Sequence, residues 1–99
     1  MNPSKVDRQR LENLTDLPNI GASIAGDLQQ LGINCPNDLI GRDPYAMHAE
    51  LNRITKGRHD PCIINVFISI TRFMAGESPR PWWDYTVERK EHLLDPDNA

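Results

Sequence analysis

Leu17-Pro18-Asn19-Ile20-Gly21, followed by Ala22 to Ile33, constrains the chain more than any other stretch. Proline has a fixed φ and no N–H, so no helix runs through Pro18, and Leu17 is biased toward extended backbone. Gly21 stands where a tight turn hands over to a new helix, a place that calls for the positive φ that glycine takes without strain. Ile20, Ile24, Leu28 and Leu31 then recur at helical spacing, and Gly32 supplies a C′ glycine. The pattern reads as helix, turn, helix: a helix-hairpin-helix.

Such a turn has a physical use. The backbone amides of Gly21, Ala22 and Ser23 open a helix, lack intrahelical partners and point outward at its positive end. A phosphate oxygen fits there and is held without any reading of base sequence. Pro18, Asn19 and Ile20 fix the turn in this reading, with Ile20 in the core beneath it. The same spacing also fits a tight αα-turn used only for packing.

Charge argues against strong nucleic-acid binding. Fourteen acidic residues oppose 11 basic ones in 99, a net −3, whereas a dedicated duplex binder usually presents a basic face. Arg53, Lys56, Arg58 and His59 do cluster locally, so weak, non-specific contact near the ~10⁻⁴ M end is the expectation for the isolated chain. The balance raises the weight of a role that depends on a partner.

The remaining totals narrow the class. A length of 99 residues supports one domain with a modest core, and a mean hydropathy of −0.57 is that of a soluble chain. No apolar run approaches the ~20 residues of a membrane span, and residues 1–5 lack a signal-peptide stretch, so a cytoplasmic location and no membrane partner are expected. Cys35 and Cys62 make no disulfide framework.

Further helices follow from punctuation. Ser4 caps a first helix over Lys5 to Leu14, and Thr15-Asp16 turns the chain into the hairpin. Ala22 to Leu31 is the second helix, where Gly26 costs about 1 kcal/mol against alanine and either admits a close neighbour or faces solvent. Pro36 and Gly41 bracket a short third helix; Asp43-Pro44 starts a fourth that stops at Gly57; Asp60-Pro61 starts a fifth that ends at Gly76. The fifth, apolar nearly all round from Ile63 to Met74, must lie at the centre of the core or meet a partner. Residues 79–86, rich in proline and aromatics, are expected to fold back over it and cover Ile64 or Ile68. Leu93 and Leu94 anchor a marginal last helix before a disordered tail at 95–99, which leaves 1–94 as the domain. Leu39-Ile40-Gly41 echoes Asn19-Ile20-Gly21, as a degraded second hairpin would.

Leu17-Pro18-Asn19-Ile20-Gly21, Leu31-Gly32-Ile33, Asp38-Leu39, Asp43-Pro44, Arg58-His59-Asp60-Pro61-Cys62 and Pro81-Trp82-Trp83-Asp84-Tyr85 occur in that order. Together, over roughly Leu14 to Thr86, they resemble the small bacterial helix-hairpin-helix proteins labelled "pathogenicity locus", sometimes named after mitomycin resistance. The front half is also similar to the C-terminal domain of competence-regulator proteins. The resemblance implies an all-α, compact five-helix domain of the SAM/helix-hairpin-helix kind and DNA association. It assigns no reaction.

Other constellations have plainer readings beside chemical ones. His59, Asp60 and Cys62 invite a metal or a Cys–His nucleophile, yet zinc wants four ligands and a nucleophile wants an orienting acid. The simpler reading has Asp60 cap the fifth helix, Pro61 start it and Cys62 pack in its first turn. Arg58 either extends a phosphate track with Arg53 and Lys56 or pairs with Asp60 or Asp84. Trp82, Trp83 and Tyr85 either stack on single-stranded bases or cover the core, and the proline flanks favour cover. No phosphate-cradling glycine loop, His-Glu zinc helix or serine elbow occurs, so no enzyme, metal or cofactor is expected. The expected function is a DNA-binding accessory module. Its alternative is an interaction domain that meets a partner through the fifth helix or the Trp-Trp segment.

Overall fold

Each helix of the computed structural model, which describes residue 9, residues 11–57 and residues 59–94, starts or stops at residues whose local chemistry requires it. Among the described residues there are four α-helices and no strand: α1 (Ala22–Gln30), α2 (Pro44–Thr55), α3 (Cys62–Met74) and α4 (Thr86–Leu94). Short 3₁₀ segments at Leu14–Asp16, Pro36–Leu39 and Trp82–Tyr85 join them.

Two of the five expected helices are not α-helical over their described residues, and the marginal last helix forms as α4. Pro36–Leu39 is a single 3₁₀ turn between the extended residues Cys35 and Ile40, with the Asp38 carboxylate accepting the Asn34 N–H at 3.0 Å. Half of the expected first helix, residues 5–14, lies outside the described residues, and Leu11 to Asn13 are not helical. Here the Asp16 carboxylate takes the amides of Glu12 and Asn13, at 3.0 and 2.8 Å, and closes a local turn instead. The tail at 95–99 and the side chains of Leu93 and Leu94 also lie outside the description.

Caps set the other boundaries. Asp43 Oδ1 accepts the N–H of Tyr45 at 2.9 Å, and Pro44 occupies the first turn of α2, where its missing donor costs nothing. Gly32, at φ +81°, closes α1: its N–H bonds Gln29 O and that of Ile33 bonds Leu28 O, which satisfies two end carbonyls. At the end of α2 the left-handed residue is Lys56 (φ 55°), not the expected Gly57, and Gly57 donates to Asn52 O at 3.3 Å. Gly26 has no heavy atom within 4 Å of the place a Cβ would take, so no close helix approach explains it.

α3 is the axis of the fold. Every residue from Ile64 to Ile70 is buried, including Asn65 and Ser69, so both sides of this helix are covered by the chain itself. Leu17, Ile20, Leu28, Met47 and Leu51 pack with Val66, Phe67, Ile70 and Phe73 in the main core. On the opposite side Ile64 and Ile68 pack with Tyr85 and the partly buried Tyr45, not with the tryptophans. The fifth helix of the sequence reading thus has its apolar faces filled internally. The radius of gyration, 12.9 Å, matches the ~13 Å of a compact chain this long. Among the described residues, no helix is long and apolar enough to cross a membrane.

The echo at Leu39-Ile40-Gly41 does not extend to geometry. Ile20 is fully buried while Ile40 is mostly exposed, and Gly41 is left-handed where Gly21 is not.

Candidate functional site

Leu17, Pro18 and Ile20 are buried, which seats the turn on the core, while Gly21, Ala22 and Ser23 stand exposed at the start of α1. Gly21 is the N-cap, with φ −99° and ψ −177°. This is extended backbone that any residue adopts, so the expected positive φ is not there. Asn19 carries it instead, at φ 65°. The left-handed region tolerates asparagine better than most side chains, so the turn falls one step earlier than glycine content suggests.

Asn19 faces inward. Its side-chain Nδ2 donates to Ser69 Oγ at 3.1 Å and to the Arg80 carbonyl at 2.8 Å, tying the turn to α3 and to the segment before Trp82. Around Gly21 the reverse holds: no atom lies within 4 Å of where its Cβ would be. No side chain caps α1, and the first helical bond runs from Ala25 N–H to Gly21 O. The amides of Ala22, Ser23 and Ile24 precede that bond and have no acceptor within the helix.

The basic residues are unequal. Arg53 is exposed and engaged by Glu50, whose Oε2 accepts from its Nε at 3.0 Å; the guanidinium holds the Glu50 carboxyl below its usual range. Lys56 is exposed at the C-terminus of α2 with no carboxylate in ion-pair range among the described residues. Arg58 lies outside the described residues. Its expected partner Asp84 is taken by Arg80, whose Nε donates to Asp84 Oδ2 at 3.2 Å while its Cζ sits 5.3 Å from the Tyr85 ring centre.

His59, Asp60 and Cys62 come together in a polar cluster between α2, α3 and α4. Asp60 Oδ1 accepts the Cys62 N–H at 2.8 Å, and that bond keeps its carboxyl below the ordinary range. The His59 N–H donates to Asn52 Oδ1 at 2.8 Å. Its ring Nε2 meets Thr55 Oγ1 at 2.9 Å; since the Thr55 hydroxyl hydrogen goes to Leu51 O, the imidazole donates. His48 Nε2 in turn donates to the His59 carbonyl at 3.1 Å. The His59 ring is therefore tied to α2 through Thr55. Among the described residues no three His, Cys, Asp or Glu side chains gather as a metal site.

The two tryptophans divide. Trp82 is partly buried against the main core, whereas Trp83 is 59% exposed and meets Trp82 edge-on, ring centres 5.6 Å apart. Val87, one helical turn on, is 67% exposed. Tyr85 is buried, and burial raises its phenol above the ordinary range.

Residues the sequence reading passed over hold this arrangement. Asn65 Nδ2 donates to the Trp82 carbonyl (3.0 Å) and Thr86 Oγ1 (2.8 Å), and Arg72 pairs with Glu88 at 2.8 Å. Arg89 is buried with its NH1 3.6 Å from Cys62 Sγ. Asn65 and Ser69, polar and four apart inside an apolar run, were visible as a signal. Arg89, within a mixed-charge segment, gave none.

The family model described as "Pathogenicity locus" matches residues 7–91, which take in the turn, the polar cluster and the Trp-Trp segment alike. The chain belongs to the pathogenicity-locus family. It is 36% identical over 81 residues to the mitomycin resistance protein McrB of Streptomyces lavendulae, covering 82% of this chain and 77% of that one. No solved structure matches. The description of the pathogenicity-locus family specifies no chemistry for these groups.

Proposed function

We propose that the chain is a non-enzymatic accessory module that contacts DNA without reading its sequence. In this proposal residues 14–30 act as a helix-hairpin-helix-type turn, with Leu14–Asp16 in place of a full first helix. One observation carries it: nothing in the fold requires glycine at the cap of α1, yet glycine leaves the amides of Ala22, Ser23 and Ile24 uncapped and open to the outside. A phosphate oxygen supplies the missing acceptor. Lys56 adds one cation, while the net charge of −3 keeps affinity at roughly 10⁻⁴ M.

The decisive variant is Gly21→Asp. Extended backbone suits an Asp N-cap, so α1 is stabilised by a few tenths of a kcal/mol, while the new carboxylate takes the amides for itself. Fluorescence anisotropy with labelled duplex and single-stranded oligonucleotides at low salt checks it. Weak, salt-sensitive binding by the native chain and none by a folded Gly21→Asp variant is the expected result. No binding to either oligonucleotide by the native chain overturns the reading.

A second reading rests on Trp83 and Val87, an exposed apolar pair four residues apart. Under it the turn is scaffold and this patch meets a protein. Trp83→Ala then leaves oligonucleotide binding untouched.

A further inference from the structure

The guanidinium of Arg89 is in the wrong place for an ordinary surface arginine. Arg89 is 8% exposed, its Nε is buried with no hydrogen-bond partner, and no carboxylate lies in ion-pair range among the described residues. What it does meet is sulfur: NH1 donates to Cys62 Sγ at 3.6 Å. A cation withdrawn from water calls for negative charge beside it, and a thioether- or thiol-like sulfur is a weak acceptor for it. Cys62 is the first residue of the 13-residue α3, at the positive end of that helix, and is partly exposed. A guanidinium and a helix N-terminus are two of the environments that favour attack by a cysteine sulfur.

The second cysteine is a built-in control. Cys35 is exposed to a similar degree and its side chain also hydrogen-bonds a carboxylate, that of Asp38, but among the described residues no arginine donates to its sulfur. Cys62 has the same kind of neighbour, for the Asp60 carboxylate accepts both its N–H, at 2.8 Å, and a hydrogen bond from its side chain. The difference between the two sites is the Arg89 guanidinium. Nearby, His48 donates to the His59 carbonyl and the His59 ring to Thr55.

The geometry points to Cys62 as a site of reversible oxidation by a hydroperoxide, with Arg89 holding the oxygen that the reaction places on sulfur. This does not depend on the nucleic-acid reading. Sγ attacks one peroxide oxygen; an S–O bond forms as the O–O bond breaks. Sulfur loses two electrons, and the other oxygen leaves as hydroxide or alkoxide, which takes up the thiol proton as water or alcohol. The sulfenic oxygen, one bond from Sγ, gives the Arg89 guanidinium that already meets the sulfur a better acceptor than sulfur itself. A low-molecular-weight thiol reverses the step by displacing that oxygen and forming a mixed disulfide, which a second thiol reduces.

The experiment treats the folded chain with dilute hydrogen peroxide in the presence of dimedone and follows each cysteine by peptide mass spectrometry. Cys62 should be labelled about tenfold faster than Cys35, and the difference should vanish in denaturant. Arg89→Met, which keeps the apolar stem, should slow labelling of Cys62 by about tenfold and leave Cys35 unchanged. Equal rates at the two cysteines of the folded chain overturn the proposal, as does an unchanged Cys62 rate in a folded Arg89→Met variant. Should that variant not fold, the ratio between the two cysteines in the native and denatured chain decides.

Discussion

The side-chain amide of Asn19 donates to the carbonyl oxygen of Arg80, 61 residues further along, at 2.8 Å. The same nitrogen reaches Ser69 Oγ at 3.1 Å, so one left-handed residue joins the turn before α1, the central helix and the segment that carries the tryptophans.

Two demands meet at that residue, and substitutions separate them. Asn19→Gly keeps the left-handed turn and loses the hydrogen bonds, at a cost of about 1–3 kcal/mol. Asn19→Ala loses the same bonds and adds about 1 kcal/mol of backbone strain. In urea unfolding the glycine variant should therefore be the more stable of the two. The opposite order would show that the turn's conformation is not what selects this residue.

The paired tryptophans should behave differently. Trp82 packs on the core, so Trp82→Ala should cost roughly 3 kcal/mol, a large part of the stability of a domain this size. Trp83 stands in solvent and loses only the edge-on contact, so Trp83→Ala should stay within about 1 kcal/mol. Thermal unfolding of both variants checks this. Trp83→Ala destabilising as much as Trp82→Ala would contradict the exposed placement.

Lys56 couples stability and binding with opposite signs. It holds φ 55° at the end of α2, a conformation that suits glycine. Lys56→Gly should raise stability by about 1 kcal/mol. Under the DNA reading it should also weaken oligonucleotide binding and flatten its salt dependence. A melting temperature that rises while the salt slope stays unchanged would remove Lys56 from the interface.

Stability should fall off on both sides of neutrality. Backbone amides hold the carboxyls of Asp16, Asp38 and Asp60 below the usual range, through Asn13, Asn34 and Cys62 respectively, and Arg53 does the same for Glu50. For a depressed carboxyl the unfolded chain binds more protons, so its contribution is full above about pH 4 and is lost as pH falls below that. Burial raises the phenols of Tyr45 and Tyr85, so their contribution holds below about pH 10 and is lost above it. Thermal melts across pH check both limbs. Asp16→Asn should shrink the acid limb, because the amide oxygen of asparagine can still accept the two N–H groups but does not titrate.

Where helices begin and end was legible in the residues alone. Asp43-Pro44, Asp60-Pro61, Gly32 and Gly76 act through bonds and dihedrals within a few positions of themselves, and α1, α2 and α3 lie where these residues imply. The apolar run of α3 also announced a helix with no free face. Local pattern failed where two local choices were close in energy. Pro36–Leu39 stayed a single turn, and Asn19 and Lys56, rather than the neighbouring glycines, took the left-handed backbone. Only the packed chain decided that Trp82 turns in and Trp83 out, that Asn19 looks inward while Gly21 stands open, and that Arg89 comes to rest beside Cys62. Those outcomes depend on contacts between residues tens of positions apart, and a side chain's partner across such a distance leaves no mark on its own neighbours in sequence.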